Sequence, residues 1–511
     1  MKREIFILIL CLVVGFVLRF YTFDRKSLWM DEIHTFNDSK DGFNGQIEFY
    51  KKKPFYFHPP LFFILTHFFY PFTKPESDLR ILPVFFGTLS IPTIYFLARL
   101  FSSGIALPCA ISLALMTYHI SLSQDGRPYT LVMFLGMIGL YFFIKYLKTS
   151  KILYLLLIAL SFAILFYTSY SSIPFIYFSQ ILWFYKEGKN NNRNRLFPFL
   201  VLNGLLLLFM IPWIFFTAYH YKGQLFMSPF HLEAGYSFLA ILENIFHDWV
   251  PHSPLIISSL MILVLLPFFL KNKMNAFILL MLFILPVGGL YLFCKLLNIN
   301  HFFTSRYFIN LLPPFLISLY LSLDAIELRF KRLKKIMRLK FLFAILFIAS
   351  NLTLLPLYYS SEKQDLRGLA TYLKNQLRNG DKIFVDATGY IPGILFYFGI
   401  FPNGRHYVAD FWRSSGKEVE FRKSFIYKNR EFTIYHSNSC CTQYVKDGNR
   451  LWIIAGKWIA NKIKKDSPCV LKSYFDGSFL NFNKFPTDAS LYLFLWDPQS
   501  PDEEGIDKPI E

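Results

Sequence analysis

Along the first 358 residues, apolar runs of roughly 17–25 residues recur between short polar breaks. Each run is long enough, as a helix, to cross a hydrocarbon core of about 30 Å. The pattern predicts spans near 5–21, 80–98, 104–121, 129–146, 152–169, 172–185, 197–218, 253–270, 276–294, 306–323 and 341–358, about eleven in all. One further apolar run, Phe57 to Phe72, is left out of that set. It has only about 16 residues, opens on His58-Pro59-Pro60-Leu61 and ends beside Pro71. That suits a juxtamembrane helix at the interface better than a crossing.

After residue 358 the pattern changes. Leu366–Leu377 reads as an amphipathic helix, and Lys382–Asp386, Glu431–Tyr435, Leu451–Ile454 and Leu491–Trp496 read as strands between turn residues. The expected fold class is therefore an all-α polytopic membrane protein with a small C-terminal α/β domain. The division falls at 1–358 for the membrane part, with an outer loop at 23–79, and 359–496 for the α/β domain. The polar, acidic stretch 497–511 is expected to be a disordered tail.

Composition sharpens the membrane assignment. Of the 511 residues 54% are hydrophobic and 20% aromatic, above the roughly 45–50% apolar usage of soluble domains. The net charge of +19 does not point to nucleic acid, because the Lys and Arg residues punctuate the apolar runs and do not form a stripe on one face. They set topology instead. If Phe57–Phe72 does not cross, the N-terminus and the basic connections at 145–151, 186–195, 271–273 and 329–340 share one side, which the positive-inside rule makes cytoplasmic. The loops at 23–79, 123–129 and 219–252, the approach Asn300–Tyr307 and everything after Tyr359 then lie on the outer face of the cytoplasmic membrane. No small-residue cleavage site follows the first run, so it is read as an uncleaved anchor. Cys11, Cys109 and Cys294 fall in apolar segments, whereas Cys440, Cys441 and Cys469 fall in the polar C-terminal part, where Cys469 could bridge to either neighbour on an oxidising side.

The candidate chemistry gathers on that outer face. Ser27-Leu-Trp-Met-Asp-Glu-Ile-His34 sets Asp31 and Glu32 just beyond the first span, with Trp29 and Met30 suited to the interfacial belt. The short turn Ser123-Gln-Asp-Gly-Arg-Pro-Tyr129 carries Asp125 and Arg127. A second acid on the face of Asp31 is what a two-carboxylate or metal-bridged site requires, and an adjacent Arg suits a phosphate. Each has an ordinary structural role to weigh against this: a solvated loop acid, a capping Asp, a snorkelling Arg. Arg306-Tyr307 is a second phosphate candidate and equally an interfacial anchor. His58 is a candidate substrate contact or metal ligand, or a cap for its own helix. No proposed span carries an ionisable residue near its middle, which argues against an ion-coupled carrier. A lipid-linked glycan flippase and a non-enzymatic scaffold remain the alternative classes.

At these residues the chain resembles the bacterial GT-C glycosyltransferase superfamily, near its protein mannosyltransferase and aminoarabinose transferase branch, family 39. The matching elements are Trp29–Glu32, His58–Leu61, Leu79-Arg80 with Gly87, Ser123–Tyr129, and Arg306–Phe308 followed by Pro313-Pro314. In many relatives an acid directly precedes the Arg of the second loop, whereas here Gly126 intervenes. The resemblance implies transfer of a sugar, with inversion, from a polyprenyl-phosphate donor to a lipid, glycan or protein acceptor. It implies Asp31 as the base and Glu32 and Asp125 as groups that position the acceptor or, for Asp31 and Asp125, hold a divalent metal ion. Arg127, Arg306 and Tyr307 would bind the donor phosphate, and His58 and Tyr129 the substrate.

Overall fold

A computed structural model describes residues 2–52, 58–68, 74–185, 195–220, 237–296, 304–330, 338–400, 421–436, 449–477, 489–500 and 504–507. It divides into two compact units. One comprises Met1–Phe23, Gly42–Thr73 and Ser77–Pro356; the other comprises Asp24–Asp41, Lys74–Glu76 and Leu357–Glu511. The stretch bearing Asp31 and Glu32 falls in the same unit as residues 357–511.

Among the described residues, six helices are long and apolar enough to cross a membrane: Pro75–Arg99, Tyr129–Thr149, Leu196–His220, Lys273–Leu296, Ser305–Arg329 and Leu339–Ser360. Two bent pairs raise that to eight: Ser103–Ala114 with Thr117–Ser123, bent by 60°, and Phe238–Trp249 with Ser253–Phe269, bent by 112°. The first expected span, Lys2–Phe20, is a helix that includes Lys2, Arg3, Glu4 and Arg19, and Ile152–Thr168 has only 17 residues. The expected span at 172–185 is not one helix. It breaks into the helix Ile173–Phe178 and the 3₁₀ segment Ser179–Phe184, and at the break the Ser179 hydroxyl donates to the Ile176 carbonyl at 3.0 Å. Such a side chain competes with the helical ladder for backbone partners. The expected loop 219–252 also contains a helix, Phe238–Trp249, which buries Ile241, Ile245, Phe246 and Trp249.

The break between Ala114 and Thr117 is held by a buried cation. Arg19, fully buried, donates to the carbonyls of Leu113 at 2.9 Å, Ala114 at 3.0 Å and Gly15 at 2.8 Å. It thereby satisfies helix-end carbonyls that have no water to turn to. Its second terminal nitrogen lies 2.7 Å from His119 Nδ1. Arginine cannot accept, so this imidazole accepts at Nδ1 and carries its proton on Nε2. The second half of the pair starts on Asn351, whose side-chain oxygen accepts from Thr117 N at 2.9 Å. At the far end of the unit, Lys340 bonds Asp324 and lies 3.4 Å from Glu327, closing the connection between the last two long helices.

Ser305–Arg329 is buried along its apolar length, whereas Leu196–His220 leaves Phe197, Leu208 and Phe215 exposed for lipid. Tyr129–Thr149 packs on Ile152–Thr168 through small residues, as helices in lipid do. A Cβ added at Gly139 would lie 2.2 Å from the Phe162 ring, itself fully buried. Gly139→Leu should therefore destabilise the helical unit by about 1–3 kcal/mol through overpacking, read as a lower unfolding temperature in detergent; an unchanged melting curve would show that this pair is loosely packed.

The second unit is built on a six-stranded mixed sheet. Its strands are β1 (Asp381–Val385), β2 (Phe421–Tyr427), β3 (Arg430–His436), β4 (Leu451–Ala455), β5 (Val470–Phe475) and β6 (Leu491–Trp496), in the order β2-β3-β1-β4-β6-β5. β3, β1 and β4 run parallel and the remaining pairs antiparallel. Strand alternation sends Ile383 and Val385 to a core with helices Leu366–Gln376 and Tyr390–Phe398, and Phe384 to a second core with Ala460 and Ile463 of helix Lys457–Asp466. Lys428 and Asn429 both have positive φ, 48° and 63°, the two-residue turn that joins twisted antiparallel strands best. The end expected to be unstructured is partly tied down: Ile506 N donates to Leu471 O at 2.9 Å, and Asp497 meets Arg378 and Arg450 at 3.1 Å each.

Candidate active site

The motif Ser27–Glu32 is gripped by its own unit. Met30–Ser39 is helical, and Glu32, buried, turns its carboxylate back on Trp29 N at 3.3 Å, a contact that fixes the helix start. Asp31, partly exposed in the same first turn, is the more open acid of the pair. Ahead of the helix the backbone is read out by C-terminal side chains. Ser27 N donates to Glu362 at 3.0 Å, Leu28 N to the Tyr397 hydroxyl at 2.7 Å, and Met30 N to Gln364 at 3.0 Å. Arg367 donates to the Arg25 carbonyl at 3.1 Å and pairs with Glu76 at 2.9 Å, while Phe36 meets Phe396 edge-on at 5.1 Å. Burial pushes the Glu362 carboxyl above its usual range and the Tyr397 hydroxyl up to about 12. Trp29 is also buried in this unit, with the Lys363 ammonium 4.2 Å from its ring. Its ring therefore sits in a contact within this unit.

The other candidates belong to the helical unit. The helix Thr117–Ser123 is buried throughout and ends at the turn of the second motif. Gln124 donates to the carbonyls of Arg19 at 2.9 Å and Tyr21 at 2.7 Å, Arg127 N donates to Asp125 O at 2.6 Å, and Asp125 is buried. Gly87 lets the neighbouring helix close on this turn, since a Cβ there would lie 2.2 Å from Ser123 Oγ. Arg80, in the same helix as Gly87, donates to the Phe23 carbonyl at 2.7 Å. Tyr129 then opens a helix beside Arg306, whose guanidinium carbon lies 5.9 Å from the Tyr129 ring and 6.0 Å from that of Tyr307.

The second and last motifs, far apart in sequence, thus meet at Tyr129 and Arg306. His58 sits ahead of the short helix Leu61–His67, its ring 6.1 Å from Phe63, and that helix packs on Ile152–Thr168. Asp31 and Glu32 belong to the other unit. Residues 53–57, 69–73, 297–303 and 437–448 lie outside the described residues, and with them the ends of the interfacial run, the start of the Asn300–Tyr307 approach and the cysteines 440 and 441. Among the described residues no three His, Cys, Asp or Glu side chains converge as a metal would need.

The sequence reading missed Asp248, Ser305 and Tyr118. Asp248, in the last turn of Phe238–Trp249, is buried and accepts from the Ser305 hydroxyl, and Tyr118 OH lies 2.7 Å from the same Ser305 oxygen. The available signal was a lone acid on the apolar side of an amphipathic stretch.

Residues 57–216 match the family model described as dolichyl-phosphate-mannose-protein mannosyltransferase. Among solved structures the chain is similar to ArnT from Cupriavidus metallidurans in the apo state, with a TM-score of 0.56 and 10% identity over 96% of this chain and 98% of that one. ArnT bound to undecaprenyl phosphate gives 0.49 at 10% identity, covering 95% and 97%. The Archaeoglobus fulgidus oligosaccharyltransferase tethered to an acceptor peptide gives 0.46 at 11%, covering 77% and 63%. No curated protein matches the chain in sequence. The resemblance read from the motifs thus holds: the chain has the fold of the GT-C glycosyltransferase ArnT over nearly the full length of both and, within residues 57–216, the sequence signature of the protein mannosyltransferases.

Proposed function

We propose that the protein is a membrane glycosyltransferase that takes a sugar from a polyprenyl-phosphate carrier and transfers it, with inversion, to a hydroxyl-bearing lipid, glycan or protein on the outer face of the cytoplasmic membrane. The observation that carries this is the meeting of Arg306 with Tyr129, which joins the two phosphate-type motifs within one unit. About eleven crossings with the C-terminal domain outside is the topology that puts every motif on that face.

In the reaction the bond between the sugar's anomeric carbon and the phosphate oxygen breaks, and a bond from the acceptor oxygen to that carbon forms on the opposite face. The acceptor's proton goes to the Asp31 carboxylate, and the electron pair leaves with the polyprenyl phosphate. A phosphate is a good leaving group, so the demand falls on positive charge to stabilise it, not on a strong acid. Arg127 and Arg306 supply that charge, with Tyr307 beside them. Glu32 shapes the helix start that bears Asp31, Asp125 positions the acceptor, and His58 and Tyr129 contact substrate.

The test is release of polyprenyl phosphate from sugar-loaded polyprenyl phosphates, extracted from bacterial membranes, by the full-length protein in liposomes. Arg306→Lys keeps the charge but loses the two-pronged grip on phosphate, so donor KM should rise about tenfold or more with kcat less affected. No release from any loaded carrier would reject the reading.

A further inference from the structure

A carboxylate placed in an apolar interior must be compensated, and the compensation around Asp248 is ordered. Among the described residues Asp248 Oδ2 accepts from Ser305 Oγ, while Oδ1 is buried with no hydrogen-bond partner. A serine hydroxyl has one proton. Because Ser305 gives its proton to Asp248, the contact at 2.7 Å with Tyr118 must run the other way, with the phenol donating to Ser305. The result is a directed chain, Tyr118 to Ser305 to Asp248, that ties together three separate helical segments, 117–123, 305–311 and 238–249. Ser305 is the residue before Arg306, and the Arg306 charge acts on both Asp248 and Tyr118.

We propose that Asp248, through Ser305, is a positioning residue that fixes the Arg306-bearing turn for a polyprenyl phosphate. This rests on the donor reading given above. Arg306 itself is only partly buried, and a two-pronged phosphate contact tolerates little misplacement of the guanidinium. The chain supplies that constraint from the protein side, without touching the substrate.

The test uses the full-length protein in detergent, with undecaprenyl phosphate as probe and undecaprenol, which lacks the phosphate, as control. Ser305→Ala and Asp248→Ala should weaken undecaprenyl phosphate binding roughly tenfold, the scale of one lost hydrogen bond to a charged group, and leave undecaprenol binding unchanged. Asp248→Asn retains the acceptor for Ser305 and should restore phosphate binding. Tyr118→Phe, which keeps the ring, stands in if an alanine variant fails to fold and should show the same selective loss. Alanine variants that bind the phosphate normally, or that lose phosphate and alcohol alike, would overturn the positioning role. If the parent shows no preference for the phosphate over the alcohol, the donor reading fails first, and this inference with it.

Discussion

The Asp386→Asn variant should keep its C-terminal domain equally resistant to proteolysis near pH 5.5 and pH 8.5, whereas the parent should weaken as pH rises between them. Asp386 stands at the end of β1, and one carboxylate oxygen accepts from Gly456 N at 2.7 Å at the end of the adjacent parallel strand. Among the described residues the other oxygen is buried with no partner. Burial, only partly opposed by these backbone donors, pushes the carboxyl up to about 7. In the unfolded chain it returns to about 4. Below about pH 4 both states hold the proton. Between pH 4 and 7 the folded state holds more protons than the unfolded one, so stability falls as pH rises and levels off above 7. The full span corresponds to about 4 kcal/mol at most. Asparagine carries no charge at any pH and removes the slope. Cleavage of the full-length protein in detergent, read within residues 381–475 and compared with the parent at each pH, measures it. A parent without this slope would mean that Asp386 is solvated.

What was legible in the sequence was carried by local pattern. The strands predicted from 382, 431, 451 and 491 became β1, β3, β4 and β6, and the helix predicted at 366–377 ends one residue sooner. β2 and β5 escaped because Arg422, Lys423, Lys472 and Ser473 interrupt their apolar alternation and make them read as loop. The pairing of Tyr129 with Arg306 could be anticipated as a shared face, since both motifs stood at the same predicted boundary. Contacts across great sequence distance could not. Met30 N meets Gln364 and Leu28 N meets Tyr397, so the first motif is shaped by residues more than 330 positions away. Nothing in Leu28 or Met30 signals this, because the groups being recognised are backbone amides that every residue carries. Asp248 was hidden for a related reason: an acid in an apolar stretch declares that it needs a partner but does not say which hydroxyl, and Ser305 and Tyr118 have no distinctive spacing. The break at 172–185 was hidden because hydropathy counts apolar surface and is blind to hydroxyls such as that of Ser179, which bond their own backbone.

Asp31→Asn should lower turnover by roughly 100-fold or more while the protein folds and melts as the parent does, in line with the contribution of a general base. The two acids of the first motif are not equivalent. Glu32 is buried with its carboxylate on Trp29 N, so Glu32→Gln should act through the shape of the helix start. Asp31 keeps part of its surface, and its main chain already helps to hold the turn, with the Thr35 hydroxyl on its carbonyl at 3.3 Å. Changing its side chain to an amide leaves those backbone contacts in place and removes the negative charge that lets it take a proton. The loss should therefore appear in kcat, with donor KM nearly unchanged, the opposite split from Arg306→Lys. The two variants together test the division of labour: a base that acts on the acceptor's proton, and a cation that acts on the departing phosphate. Polyprenyl phosphate release under saturating donor decides the matter. Near-parental turnover in Asp31→Asn would move the base elsewhere, with Asp125 the next acid to test, since it is carried by the segment that ends beside Arg306.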